Sequence, residues 1–159
     1  MPVERHHIQQ SAFRLPQPAA AVSGSIALDA RALAVRHALA EFIDRLRDAT
    51  LEQEQLGTIE LVLAEVLNNV VEHAYTDTGG HIGLHWSLGE TGLLIRVEDS
   101  GRAMPGDILK MTRRSAQDLR APVISEGGYG WFLIDRLARN IVYRREGDRN
   151  ILTFRICLG

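Results

Sequence analysis

Apolar residues recur at helical spacing in the first half of the chain. The first helix is predicted to begin at Asp29, a good N-cap residue, and to end near Arg47, with apolar positions at Leu33, Leu39, Phe42, Ile43 and Leu46. Thr50 with Gln53 three residues later is typical of a capping box, so a second helix is predicted from there to about Tyr75. The pattern therefore indicates two long helices, both with one apolar face.

The second half of the chain alternates between apolar and polar residues instead. The predicted elements are strands at 81–88 and 93–97 joined by a turn at 89–92, a helix at 131–138, and strands at 141–143 and 151–158 joined by a turn at 146–149. Residues 99–126 are predicted to form a long, loop-rich segment between them, with room for one or two helical turns near Ile108–Leu119. Strands that follow helices and pair through hairpins indicate an α+β domain, with an antiparallel or mixed sheet and helices on one face.

The N-terminal residues do not join this pattern. Ala12–Leu15 alternates and is predicted as a short strand, Pro16 and Pro18 interrupt it, and Ala19–Gly24 is typical of a linker. A chain of 159 residues is long enough for one domain with a substantial core. We therefore predict an N-terminal segment over residues 1–24 and one domain over residues 25–159.

Composition and charge limit the classes of function. The net charge of −2 argues against direct binding of nucleic acid, and there is no apolar run long enough to span a membrane and no signal peptide. The single Cys157 excludes an internal disulfide, so a reducing, cytoplasmic location is expected.

The charge is unevenly divided between the two parts of the chain. Residues 1–95 hold 12 acidic and 6 basic side chains, whereas residues 96–159 hold 8 acidic and 12 basic ones, which gives net charges of −6 and +4. The basic part suits a phosphate-bearing ligand or an acidic partner, and a solvated surface is the more ordinary alternative.

The second helix contains an unusual polar stripe. Glu65, Asn68, Asn69 and Glu72 fall within roughly one 100° arc of the helix, and apolar residues cover the rest. Asn within a helix costs roughly 0.5 kcal/mol relative to Ala, and a solvated face does not need two of them. A site that uses a carboxylate and an amide oxygen one helical turn apart does need this arrangement.

The strand that ends at Asp99 carries a second candidate. Asp99 follows Leu93, Ile95 and Val97 in register, so it is predicted to face the same side and to need a hydrogen-bond donor. Gly101 allows a sharp turn and close approach of a flat ligand. An ordinary Asp-Ser-Gly turn is the alternative.

A third candidate is the glycine cluster Gly127, Gly128 and Gly130, which precedes a helix. Free N–H groups and the positive end of the helix dipole favour an anion there, and a hinge is the alternative. Thr153 lies in the last strand and becomes a candidate only if it faces Asp99.

Taken in order, these motifs resemble the GHKL ATP-binding superfamily. Glu65-x3-Asn69-x3-His73-Ala-Tyr75, Asp99-Ser-Gly101, the glycine cluster and Thr153 follow one another as in that superfamily. The His-Ala-Tyr ending and the sequence Gly-Trp-Phe-Leu-Ile-Asp-Arg-Leu at 130–137 are similar to its bacterial anti-sigma factor serine/threonine kinase branch. The resemblance implies a two-layer α/β sandwich, the Bergerat ATP-binding fold, with a mixed, mostly antiparallel sheet.

The resemblance also implies a role for each matching residue. Glu65 is the catalytic residue that orients or deprotonates the attacking hydroxyl, and Asn69 is the Mg²⁺ ligand. Asp99 accepts from the adenine amino group with help from Thr153, and Gly101 leaves room for the base. The remaining nucleotide-binding residues lie around the glycine cluster: Gly127, Gly128, Tyr129, Gly130 and Trp131. Trp131 replaces the usual Leu, and its ring either covers the nucleotide or, as we favour, fills core space.

The implied function is an ATP- and Mg²⁺-dependent serine/threonine protein kinase. Its substrate is a STAS-type anti-sigma factor antagonist, and a sigma factor is its second partner. A nucleotide-binding switch that sequesters a partner without phosphoryl transfer is the alternative. The catalytic half of a histidine kinase is less favoured, because no helical segment with an acceptor His precedes the domain.

Two further expectations concern surfaces. Residues 106–126 are expected to cover ATP, with Lys110, Arg113 or Arg114 contacting phosphate. If Thr153 points toward the nucleotide, then Leu152, Phe154 and Ile156 form an apolar row on the other face of the sheet. That row needs cover from a second subunit, which predicts a homodimer, or from residues 1–24.

Overall fold

The structure is a computed structural model that describes residues 22–75, 79–106 and 129–159, with only the main chain of Tyr129. These residues form β1 (Ser23–Asp29), α1 (Ala32–Leu46), α2 (Gln53–Ala74), β2 (His81–Gly89), β3 (Gly92–Asp99), α3 (Tyr129–Leu137), β4 (Ala138–Glu146) and β5 (Arg149–Ile156). The predicted strand at Ala12–Leu15 and the predicted cover over ATP, apart from Gly106, lie outside the described residues. None of the described helices is both long and apolar enough to cross a bilayer.

The strands form one open sheet with the order β1-β2-β3-β5-β4. Every pairing within the described residues is antiparallel, which confirms the antiparallel alternative of the predicted antiparallel or mixed sheet. Alternate strand residues are buried together with the apolar faces of the helices in a single core, which confirms an α+β arrangement.

Both long helices begin later than predicted. Asp29 is the last residue of β1, and its carboxylate pairs with Arg31 at 3.1 Å rather than capping α1. The capping box lies two residues beyond the predicted one, because the backbone N–H of Glu52 donates to Oε1 of Gln55 at 2.7 Å. These shifts leave the buried faces as predicted.

The strand β1 lies partly in the stretch predicted as a linker. Ile26 and Leu28 are buried, and the strand pairs with β2 along its whole length. Serine and glycine have weak strand propensity, which is why Ser23 and Gly24 are typical of a linker in the sequence. The predicted domain boundary between residues 24 and 25 therefore falls within a strand.

The inner face of β5 belongs to the core. Leu152 is 3% exposed, and Phe154 and Ile156 are fully buried against the helical layer. The apolar row that was expected to need a second subunit is covered by the helices of the same chain. The argument for a homodimer from this row therefore loses its premise.

Candidate functional site

Glu65 and Asn69 lie one turn apart on α2, where its buried face meets its exposed face. Asn69 is only 7% exposed, and Glu65 is partly buried. Val62 and Val66 beside them are buried in the core. The packing of this apolar face fixes the rotation of α2 and so places both polar side chains at the helix edge.

The N-terminal turn of α3 approaches both residues at Gly130. A Cβ atom added to Gly130 would lie 2.5 Å from Oε2 of Glu65 and 3.2 Å from Nδ2 of Asn69. A side chain there would displace the carboxylate. The structure thus brings together three predicted residues in what we call the α2–α3 site: Glu65, Asn69 and Gly130.

The Nδ2 end of the Asn69 amide has no hydrogen-bond partner within the described residues. Its Nδ2 atom is buried and unpaired. A buried, unpaired polar group costs about 1–3 kcal/mol, which a ligand can offset by bonding to it. Nδ2 is a donor, so an acceptor such as a phosphate oxygen of an incoming ligand can satisfy it, whereas a cation would bind the oxygen of the same amide.

The side chains of the α2–α3 site do not form a metal cage by themselves. The described residues contain no group of three or more His, Cys, Asp or Glu that could hold a metal ion. A cation bound to Asn69 would need water or ligand oxygens to complete its coordination. That requirement fits Mg²⁺, which keeps several waters and binds together with phosphates.

Asp99 lies at the end of β3 with its side chain facing the core. It is 8% exposed and shares its face with Val97, as predicted. Its Oδ1 atom accepts from the N–H of Gly101 at 2.9 Å and from Nδ2 of Asn150 at 2.7 Å, so the predicted need for a donor is confirmed. Burial raises the pKa of Asp99, and these two donors and Arg145 oppose the rise.

Thr153 does not face Asp99. The register of β3 and β5 pairs Asp99 with Asn150 and pairs Thr153 with Arg96. Side chains alternate between the faces of a strand, so three positions along β5 place Thr153 on the opposite face. The prediction that Thr153 assists Asp99 is therefore corrected by the register.

Asn150 occupies the position that was assigned to Thr153, and the sequence analysis missed it. It is 3% exposed and bonds to Asp99, Tyr143 and Arg145. We call these four residues the strand-end network. A signal was present in the sequence, because Asn150 continues the buried alternation of Leu152, Phe154 and Ile156 as a polar residue.

Gly101 connects the Asp99 turn with the end of α2. A Cβ atom on Gly101 would lie 2.5 Å from both Cβ and the carbonyl oxygen of Ala74. The N–H of Arg102 donates to the same carbonyl oxygen at 3.1 Å. Glycine is thus required for this close approach between the turn and the helix.

Tyr75 supports the same junction, which the sequence did not indicate beyond its place in the helix motif. Its hydroxyl donates to the carbonyl oxygen of His81 at 3.0 Å and accepts from the N–H of Ser100 at 2.7 Å. Burial raises the pKa of Tyr75, the N–H of Ser100 opposes this rise, and the charge of Asp99 adds to it. Tyr75 therefore fastens the end of α2 to β2 and to the turn after β3.

The remaining predicted residues divide into two groups. Trp131 is 3% exposed and belongs to the core, in agreement with the favoured alternative for its ring. Gly127, Gly128, the side chain of Tyr129 and the three basic residues predicted to contact phosphate lie outside the described residues.

Comparison with known proteins agrees with the fold. Residues 26–156 match a family described as the histidine kinase-like ATPase domain. In a crystal structure of the RsbU and RsbW domains of Rv1364c from Mycobacterium tuberculosis, a similar fold covers 85% of this chain and 32% of that one, with a TM-score of 0.58 and 19% identity. This likeness concerns the fold alone.

Curated relatives share part of the sequence. The serine-protein kinase RsbW of Halalkalibacterium halodurans is 32% identical over 99 residues, which are 58% of this chain and 57% of the relative. The serine-protein kinase RsbW of Bacillus thuringiensis is 28% identical over 101 residues, which are 62% of each chain. The chain thus spans about three fifths of the length of the curated relatives it matches.

Proposed function

The chain belongs to the histidine kinase-like ATPase domain family, and on this premise we propose that it is an ATP- and Mg²⁺-dependent serine/threonine protein kinase. The observation that carries the proposal is the convergence of Glu65, Asn69 and Gly130. A carboxylate for the acceptor hydroxyl, an amide oxygen for a cation and a helix N-terminus for phosphate, brought to one place, suit the positioning and charge neutralisation of phosphoryl transfer.

The nucleotide is proposed to extend from the strand-end network, which binds the base, to the α2–α3 site, which binds the phosphates. Asp99 accepts a hydrogen bond from the adenine amino group through the oxygen that no described residue occupies. The positive end of α3 and the glycine cluster before it bind the phosphates. The amide oxygen of Asn69 would hold Mg²⁺, and the cation would neutralise charge on the transferring phosphate.

Glu65 is proposed to act on the acceptor hydroxyl. As the serine or threonine oxygen bonds to the γ-phosphorus, the bond from that phosphorus to the β–γ bridging oxygen breaks and ADP leaves. The hydroxyl proton passes to the Glu65 carboxylate. Gly130 favours this step because only a glycine leaves the carboxylate at its observed position.

The protein substrate and partners follow from the resemblance to the anti-sigma factor kinase branch. We expect a STAS-type antagonist as the phosphorylated substrate and a sigma factor as the bound partner. The similarity to two proteins named serine-protein kinase RsbW supports this expectation.

Transfer of labelled phosphate from ATP to the antagonist tests the proposal. The isosteric change Glu65→Gln should lower the transfer rate by roughly 10²–10⁴-fold and leave ATP binding intact, because it removes a general base. Glu60→Gln, an exposed change on the same helix, is the matched control and should transfer normally.

The same assay separates the two candidate functions. A wild-type chain that binds ATP and its partner but transfers no phosphate would instead be the sequestering switch. Unchanged transfer by Glu65→Gln would remove Glu65 from the mechanism.

A further inference from the structure

We propose that Asn150, held by Tyr143 and Arg145, is a positioning residue that fixes Asp99 and thereby makes the site select 6-amino purines over 6-oxo purines. The inference rests on the proposed function, since it assumes that the base binds at Asp99. It concerns the strand-end network, which joins the ends of β3, β4 and β5.

The orientation of the Asn150 amide is determined by its neighbours. Its Oδ1 atom accepts from the hydroxyl of Tyr143 at 2.7 Å and from Nη1 of Arg145 at 2.6 Å. Arginine can only donate, so the oxygen of the amide must face Arg145. The Nδ2 group is consequently directed at Asp99.

The network also holds the main chain that follows Asp99. Nδ2 of Asn150 donates to the carbonyl oxygens of Gly101 at 3.2 Å and Arg102 at 2.8 Å. Nη1 of Arg145 donates to the carbonyl oxygen of Gly101 at 3.0 Å, and the hydroxyl of Tyr143 accepts from the N–H of Met104 at 2.9 Å. Asp99 and the turn after it are thus fixed as one unit.

Within this unit, Asp99 has one oxygen left for a ligand. Oδ1 already accepts from Gly101 and Asn150, and no described residue donates to Oδ2. Tyr143 and Arg145 donate to Oδ1 of Asn150, and Asn150 donates to the carboxylate, so every hydrogen bond of this series runs toward Asp99. Asp99 is therefore kept as an acceptor whose free oxygen has one fixed position.

A fixed acceptor distinguishes two bases of nearly equal shape. Adenine presents an amino group at C6, whereas hypoxanthine presents a carbonyl oxygen there and an N–H at N1. A carboxylate that could shift would follow the N1–H of hypoxanthine and bind both bases. A carboxylate that is held in place meets the carbonyl oxygen instead and rejects hypoxanthine.

The test compares ATP and ITP by calorimetric titration of the full chain. The two variants Asn150→Val and Asn150→Thr introduce side chains of nearly the same shape, but only threonine can still donate to Asp99 and accept from Arg145. Asn150→Val should lower the preference for ATP over ITP by about tenfold, the usual effect of losing one hydrogen bond to a charged group. Asn150→Thr should retain the preference within about threefold of wild type.

Two further variants control the result. Thr153→Val makes the same Thr-to-Val change on the other face of the sheet and should leave the preference unchanged. Tyr143→Phe keeps Asn150 but removes one donor to its Oδ1, so it should lower the preference by a few-fold. It also provides the decisive variant if Asn150→Val does not fold by circular dichroism.

The outcomes separate this inference from the proposed function. Equal preference in Asn150→Val and Asn150→Thr, with ATP still bound, would overturn the positioning role alone. Equal affinity of the wild-type chain for ATP and ITP would do the same. Failure of the wild-type chain to bind either nucleotide would overturn both proposals.

Discussion

The strand-end network and the α2–α3 site differ in whether their buried asparagine is hydrogen-bonded within the protein. In the strand-end network, near the helix C-terminus, Asn150 bonds at both ends of its amide. In the α2–α3 site, earlier on the same helix, the buried Nδ2 of Asn69 has no partner among the described residues. Two buried asparagines of one fold thus differ in whether the protein itself satisfies them.

The difference separates positioning from binding. A satisfied buried network rigidifies its members, so Asn150 is suited to hold Asp99 in place. The unsatisfied Nδ2 donor of Asn69 lowers the stability of the protein alone and can gain a partner from an acceptor atom of a ligand, so Asn69 is suited to bind one. Substitutions at the two regions should therefore divide between stability and activity.

Among the substitutions that compare the two regions, the one at Gly130 is expected to have the largest effect. Gly130→Ala should lower phosphoryl transfer on the order of 10²-fold, because the added Cβ displaces the Glu65 carboxylate from its working position. Gly57→Ala is a matched helical control, since nothing lies within 4 Å of its Cβ position. It should leave transfer unchanged and raise stability by up to about 1 kcal/mol. Equal transfer rates in both variants would contradict the assigned role of Gly130.

The next effect is the contrast between the two asparagines in denaturant unfolding. Asn150→Val should cost about 1–3 kcal/mol, because Tyr143 and Arg145 lose a buried acceptor. Asn69→Val should be neutral or stabilising, because no described partner is lost and valine has similar helix propensity to asparagine. An equal loss of stability in both variants would remove the distinction between the two regions.

A smaller, pH-dependent effect is expected at Asp99. Its pKa is raised above the ordinary value of 3.8, so the folded chain holds this proton more tightly than the unfolded chain. The stability of wild type relative to Asp99→Asn should therefore fall as pH rises from 3.8 through the raised value. Unfolding free energies of both chains across acidic pH measure this difference.

Binding at Asp99 should have the opposite pH dependence. The ionised carboxylate is the form that accepts from adenine, so ATP affinity should rise over the same interval. Among the described residues, the charge of Arg145 lowers the pKa of Asp99, and the charge of Asp99 in turn raises the pKa of Tyr75. A parallel rise of stability and affinity would show that another group controls the profile.

The smallest effect is expected at Thr153, which the strand register places on the face of the sheet opposite to Asp99. Thr153→Val should change stability by less than about 0.5 kcal/mol and leave ATP affinity unchanged, because its partner across the sheet is Arg96 on the outer face. A clear loss of ATP affinity, measured by calorimetry, would place Thr153 back in the site.

Local pattern was sufficient to predict the helical edge of the site. Helical spacing alone puts Glu65 and Asn69 on one side of α2, and strand alternation alone turns Asp99 toward the core. Neither prediction depends on which elements pack together. The apolar face that carries them is a property of the segment itself.

The local sequence pattern does not predict which residues pair across strands that are distant in the chain. The partner of Asp99 depends on the register of β3 against β5, and residues three positions apart on β5 lie on opposite faces. For this reason Thr153 was predicted as the neighbour of Asp99, although the neighbour is Asn150. The buried residues Leu152, Phe154 and Ile156 were likewise predicted to lie on the other face of the sheet. The approach of Gly130 to Glu65 likewise depends on how α3 packs against α2.

The central claim is that the amide oxygen of Asn69 binds the metal that accompanies ATP. Calorimetric titration of ATP into wild type and Asn69→Ala, each with Mg²⁺ and with EDTA, tests it most directly. Mg²⁺ should tighten ATP binding to wild type and have no effect on the affinity of Asn69→Ala. The same tightening by Mg²⁺ in both chains would contradict the claim.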